Sequence, residues 1–231
     1  MSSYQYTPSQ LGVRPAAALV QQLLVGAFGW MFAGLLLTAG VAYLVSGNEQ
    51  LLETVAGFWL LIFIAQIVLV VAITAAIQRL SPTVSLLLFF LYAASMGLTI
   101  GLIVTLYTGE SVAAAFVSSA AMFGAAALYG GVTKRDLTKM GGILFMALIG
   151  LLVASLINIF LASSTVAWAI SILGVVIFTG LTAYDVQRIA RGDLAAVTGS
   201  QERGSILAAL HLYLDFINLF LFMLRIFGNR N

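Results

Sequence analysis

Cysteine is absent from this 231-residue chain, which excludes disulfide frameworks and thiolate metal sites. Charge is scarce as well. Asp, Glu, Lys and Arg make up 8% of the residues, where soluble domains carry roughly a quarter. The net charge of +2 is too small to imply a nucleic-acid partner. Lysine occurs only at Lys134 and Lys139, between hydrophobic stretches, so no lysine lies inside a span to form the Schiff base a retinal protein needs. No phosphate-binding loop, EF-hand loop or HExxH motif occurs, and no enzyme is expected. Residues 1–22 are polar to mixed and show no cleavable signal pattern.

What is present is apolar: 62% of residues are hydrophobic and the mean hydropathy is +1.10. A soluble fold of this length cannot hide that much apolar surface. The apolar stretches are helix-length, not the roughly ten-residue alternating segments of a barrel. A bilayer core needs about 20 apolar residues per helix. The expectation is an all-α membrane protein of seven transmembrane helices, with spans near 23–45, 55–77, 84–107, 111–132, 140–161, 165–187 and 206–227. Residues 1–22 form an N-terminal segment and 23–228 a single seven-helix domain in the lipid bilayer.

Seven spans place the N-terminus and alternate loops on one side. That side carries Arg14, Arg79, Lys134, Arg135, Lys139, Arg188, Arg191 and Arg203, whereas the opposite loops carry only Glu49, Glu53 and Glu110. Lys and Arg favour the cytoplasm, so the N-terminus is expected inside and the C-terminus outside, where Arg225 and Arg230 are outnumbered by the eight basic residues opposite. A six-span arrangement with a re-entrant last segment is the alternative, since Asp215 lowers the hydropathy of that segment. Gly97 and Gly101 have the spacing that lets membrane helices approach closely. Packing within the chain is the preferred reading over a dimer interface.

Two aspartates interrupt the last two spans: Asp185 in "LTAYDVQRIA" and Asp215 in "HLYLDFINLFLFML". An ionisable residue inside a membrane helix is costly and marks a functional site by default. His211, Asp215, Asn218, Phe222 and Arg225 recur at spacings of four and three, which puts them on one helical face. Ser171, Gly174, Phe178, Thr182 and Asp185 form a comparable face on the sixth span. If these faces meet, they make a polar seam, in which His211 and Asn218 are read as interhelical hydrogen-bonding groups. Two carboxylates close together in low dielectric cannot both ionise easily and share a proton. Their hard oxygens also suit Ca²⁺, so proton and Ca²⁺ would compete for Asp185 and Asp215. No tightly bound cofactor is expected. Arg79, at the cytoplasmic end of the second span, is either a topology anchor or an ion-pair partner.

Intramembrane aspartyl proteases also pair aspartates on consecutive helices, one of them after a tyrosine, as in Tyr184-Asp185. They require Gly-x-Gly-Asp on the next helix and a later Pro-Ala-Leu. Here Asp215 follows Leu-Tyr-Leu, and no proline follows Pro82.

"AYDVQRI" followed by "LHLYLDFINLFLFMLRIFG" resembles the signature of the Bax inhibitor-1 family, the transmembrane Bax inhibitor motif proteins. The resemblance extends over all seven spans. It implies a seven-helix fold whose last helix is central and wrapped by the other six. It also implies a Ca²⁺-permeable leak gated by a pH-sensitive aspartate pair, Asp185 and Asp215 by position in the motifs, with Arg79 as a latch on the first. Eukaryotic members carry a basic C-terminal tail. This chain ends at "RIFGNRN", as expected of a bacterial plasma-membrane (inner-membrane) member. Some bacterial relatives resemble modulators of a membrane-anchored protease, which makes such a protease a second candidate partner, engaged through residues 1–22.

Overall fold

In lipid every backbone N–H and C=O must be satisfied within the segment, which leaves helices as the solution for runs of this kind. The computed structural model describes residues 16–229, and among these all regular structure is helical. The order is α1 (Ala17–Ser46), α2 (Glu49–Gly57), α3 (Trp59–Ala76), α4 (Pro82–Val104), α5 (Gly109–Val132), α6 (Thr138–Leu161), α7 (Ser164–Ala190), α8 (Asp193–Thr198) and α9 (Gln201–Phe227). Seven of them, all but α2 and α8, are long and apolar enough to cross a membrane. Most of the N-terminal segment expected over 1–22, with Arg14, and also Arg230 lie outside the described residues.

The helix ends follow from local chemistry. Asn48 accepts the Leu51 N–H at 3.1 Å to start α2. Ser81 accepts the Val84 N–H ahead of α4, with Pro82 in the first turn, where its missing N–H costs nothing. Thr108 caps α5 through the Ser111 N–H. Continuous apolar sequence hid the break between α2 and α3, where the helix stops at Gly57 and restarts at Trp59. The sixth span runs on through "DVQRIA" to Ala190, followed by Gly192 at φ +73°. A second left-handed glycine, Gly199, closes α8, because a Cβ would be strained at both positions. The last span begins at Gln201, five residues earlier than the hydropathy implies. Ser200 supports that start by accepting the Arg203 N–H at 3.2 Å.

Contacts group the chain into two compact units: the chain through Leu106 with Arg188–Tyr213, and Tyr107–Gln187 with Leu214–Asn231. In the first, α1 packs on α4 where Gly97 meets Val41 and the Thr38 carbonyl, and Gly101 meets Val45. The Gly97/Gly101 pair therefore serves packing within the chain. Gln66 of α3 donates to the Ser95 carbonyl and the Thr99 hydroxyl of α4 at 2.9 and 2.8 Å. In the second unit, Gly130 of α5 lies against the backbone of Ala183 in α7, and Gly141 of α6 lies under the Tyr184 ring. The C-terminal end is tied down as well, since the Asn229 N–H donates to Ser111 Oγ at 2.9 Å.

Burial separates the last helix from the rest. In its most apolar stretch 72% of α9 is buried, against 50% for α7 and 6% for α6. A helix covered on most sides offers a charged group little contact with headgroups or water, so its ionisable residues carry the highest solvation cost.

Candidate functional site

The second unit brings part of each stripe together. Phe178 of α7 stacks on Phe222 of α9 with ring centroids 5.9 Å apart, and Gly174 makes room for the same Phe222 ring. One turn beyond Phe178, Thr182 of α7 hydrogen-bonds the Asp215 side chain, and Asp185 lies close enough to Asp215 to interact with it electrostatically. Both carboxyls are removed from solvent, Asp185 at 8% and Asp215 at 4% exposure. Asp215 Oδ2 is buried with no hydrogen-bond partner among the described protein groups. A carboxyl oxygen so placed has capacity left for a proton or a cation.

The Thr182 hydroxyl has one proton and two neighbours that can accept it. It donates to the Phe178 carbonyl of its own helix at 2.8 Å, and it also meets Asp215. If Asp215 carries a proton, it can donate to Thr182 while Thr182 donates onward to Phe178. If Asp215 is ionised, the hydroxyl must choose between two acceptors. Thr182 can therefore respond to the protonation state of the carboxyl.

The other expected site residues fall differently. Among the described residues, the Asn218 amide Nδ2 donates within its own helix, to the Leu214 carbonyl of α9 at 2.8 Å. A short polar side chain in a helix reaches the carbonyl four residues back as readily as a neighbouring helix. His211 is half-buried and belongs to the first unit. Arg79 also belongs to the first unit, exposed in the turn after α3. The residues flanking it are fastened to the segment leading into α9. Gln78 donates to the Val197 carbonyl at 2.7 Å, and Arg203 donates to the Leu80 carbonyl at 2.9 Å.

Among the described residues no group of three or more His, Asp, Glu or Cys side chains is placed to hold a metal ion. The acidic site therefore offers two carboxylates and a hydroxyl. Ca²⁺ takes about 6–8 oxygen ligands, so water and backbone carbonyls would have to complete its shell here.

The family model described as "Inhibitor of apoptosis-promoting Bax1" matches residues 20–231. The chain belongs to the Bax inhibitor-1 family. Its relatives include the inner membrane protein YbhL of Escherichia coli K12, 48% identical with 94% of this chain and 95% of the relative covered. A Deinococcus radiodurans protein is 45% identical, with 92% of each chain covered. A Borreliella burgdorferi protein is 44% identical over 90% of this chain and 92% of its own. Membership in the Bax inhibitor-1 family and seven apolar helices together make this a multi-pass membrane protein.

Proposed function

We propose that this Bax inhibitor-1 family protein is a pH-sensitive Ca²⁺ leak of the inner membrane, gated by Asp185 and Asp215 sharing a proton. The observation that carries this reading is the placement of Asp215. It sits in the most buried span, beside a second buried acid, with one carboxyl oxygen unmatched. A structural hydrogen-bonding role could be filled by asparagine at far lower cost, so two carboxyls buried in membrane helices imply use of their charge.

Ca²⁺ is the cargo and needs no permanent cage. A site with only two carboxylates holds the ion loosely, and a conducting site must release what it binds. Protons compete for the same oxygens, which links occupancy to pH without a further sensor. The N-terminus is assigned to the cytoplasm on the distribution of Lys and Arg.

The test is Ca²⁺ flux into proteoliposomes across pH for the wild type, Asp185→Asn and Asp215→Asn. The reading requires wild-type flux that responds to pH and a response lost in both variants. Absence of wild-type flux, or an unchanged response in the variants, overturns it. Activity that instead tracks residues 1–22 and a membrane-anchored protease would favour a partner-modulating role.

A further inference from the structure

The turn of α7 that carries Asp185 is held from its opposite side by Gln187. Its Oε1 accepts the Leu137 N–H at 2.9 Å, and its Nε2 donates to the Arg135 carbonyl at 2.8 Å. Only one orientation of the amide satisfies both bonds, because a flip would set N–H against N–H and carbonyl against carbonyl. The side chain is 4% exposed and its bond to Leu137 is buried, while the bond to the exposed Arg135 is part-buried.

The same face of α7 is fixed by packing. Ala183 lies one turn before Gln187. It clusters with Ala126 of α5 and with Leu137, whose N–H Gln187 receives, while Met140 and Tyr184 pack around them. Gly130 brings α5 onto the Ala183 backbone so closely that a Cβ would collide with main-chain atoms. Thr182 and Asp185 occupy another face of these two turns, toward Asp215. One side of the helix end is thus clamped to α5 and the α5–α6 loop while the other presents the acid.

We propose that Gln187 is a positioning residue for the aspartate pair, its amide setting the height and rotation of Asp185 against Asp215; as a statement about a gate, this rests on the leak reading above. The clamp acts on backbone groups of a loop fifty residues away in sequence, so it transmits the position of that loop to the acid. Without it, α7 keeps its packing on Gly130 but loses a polar contact that helps to fix its last turns. The acid pair then becomes less well ordered.

The experiment compares the wild type with Gln187→Leu, which keeps the bulk and removes both hydrogen bonds. Asn158→Ala serves as a control. Asn158 forms the equivalent bracket at the other end of α7, donating to the Ser163 carbonyl at 3.2 Å and accepting the Ser163 N–H at 3.3 Å. Amide hydrogen exchange in detergent should rise in Gln187→Leu at residues 133–141 and also in α9 around Leu214–Asn218. In Asn158→Ala it should rise near residues 158–166 and leave α9 unchanged.

Initial flux of Ca²⁺ and Mg²⁺ into proteoliposomes supplies the second readout. Ca²⁺/Mg²⁺ discrimination depends on ligand placement and rigidity. The ratio should therefore change several-fold in Gln187→Leu and stay constant in the control, even where total flux falls in both. Gln187→Met also removes both hydrogen bonds and fills the space with a flexible apolar side chain; it replaces Gln187→Leu if that variant does not fold. Exchange confined to 133–141, or an unchanged ratio in a conducting protein, overturns the proposal. If the wild type conducts neither cation, the leak reading falls, and the exchange pattern in α9 alone decides whether Gln187 positions Asp185.

Discussion

Tyr213 donates its hydroxyl proton to Thr38 across 2.6 Å. The direction is fixed because the single Thr38 proton is committed to the Ala93 carbonyl at 2.8 Å. Tyr213 is fully buried, between Phe89 and Tyr92 at ring separations of 5.6 and 5.8 Å. Both members of this bond lie in the first unit, and Tyr213 precedes Asp215 by two residues on α9. Tyr213→Phe removes a donor and leaves Thr38 bonded to Ala93, so it should cost about 1 kcal/mol. Thr38→Val strands the tyrosine hydroxyl in an apolar surrounding and should cost about 2 kcal/mol. Unfolding in detergent by heat or denaturant measures both, and an equal or reversed order would contradict the assigned proton direction.

Glycines on the same helices should differ sharply in tolerance. A methyl group at Gly130 meets the carbonyl, C and Cα of Ala183, none of which can move aside alone. Gly130→Ala must push α5 from α7, with a cost of about 3 kcal/mol at the upper end of overpacking. Gly124, six residues earlier on α5, and Gly142 on α6 have nothing within 4 Å of a new Cβ. Their alanine variants should be neutral or slightly stabilising through helix propensity. Thermal unfolding of the three purified variants checks the contrast.

The stripe on α7 and the stripe on α9 were legible because membrane sequence is otherwise monotonous. A polar residue every three or four positions stands out against leucine, and helical periodicity gives its direction. That spacing groups Thr182 with Asp185 and Asp215 with Phe222 on their own helices, whereas which residue of one stripe meets which of the other comes from the packing. Gln187 was not legible. It sits in the quoted "AYDVQRI", but its partners are backbone groups of Arg135 and Leu137, which carry no side-chain signature. The break before Trp59 was hidden for a related reason, since an apolar run does not announce where its helix bends. Asn218 was legible as polar but not in its partner, because its own helix offers an acceptor one turn back.

Topology yields a direct test. Basic residues at Arg79, in the Lys134–Lys139 loop and at Arg188, Arg191 and Arg203 lie on one side of a seven-span path. With the positive side inward, a reporter at the N-terminus should read cytoplasmic and one at the C-terminus external. Two cytoplasmic readings would contradict an odd number of spans and revive the re-entrant last segment.

Arg79 tests the latch. Removing a cation that holds a gate carboxylate in a closed state should raise basal Ca²⁺ flux and change its pH response. Arg79→Ala in proteoliposomes is the variant to measure. If flux and pH response match the wild type, Arg79 acts as a topology anchor only, which its exposed position after α3 would suffice to explain.

The shared-site mechanism fixes the sign of a linkage. Ca²⁺ binds the ionised form of a carboxyl, and a proton on the same oxygen removes that ligand. Equilibrium Ca²⁺ affinity, measured in detergent, must then fall as the solution is acidified through the range in which the pair takes up its proton. Reciprocally, bound Ca²⁺ must make that proton harder to add, because the coupling free energy is the same in both directions. Asp215→Asn leaves a neutral amide beside Asp185 and Thr182. It removes the proton shared between the two sites and one of the two anionic ligands, so affinity should drop and its dependence on pH should flatten. Net flux is a poorer readout, since acid can weaken binding while opening or closing the path. Affinity that is independent of pH in the wild type, or that keeps its wild-type pH dependence in Asp215→Asn, would rule out competition between Ca²⁺ and proton at this pair.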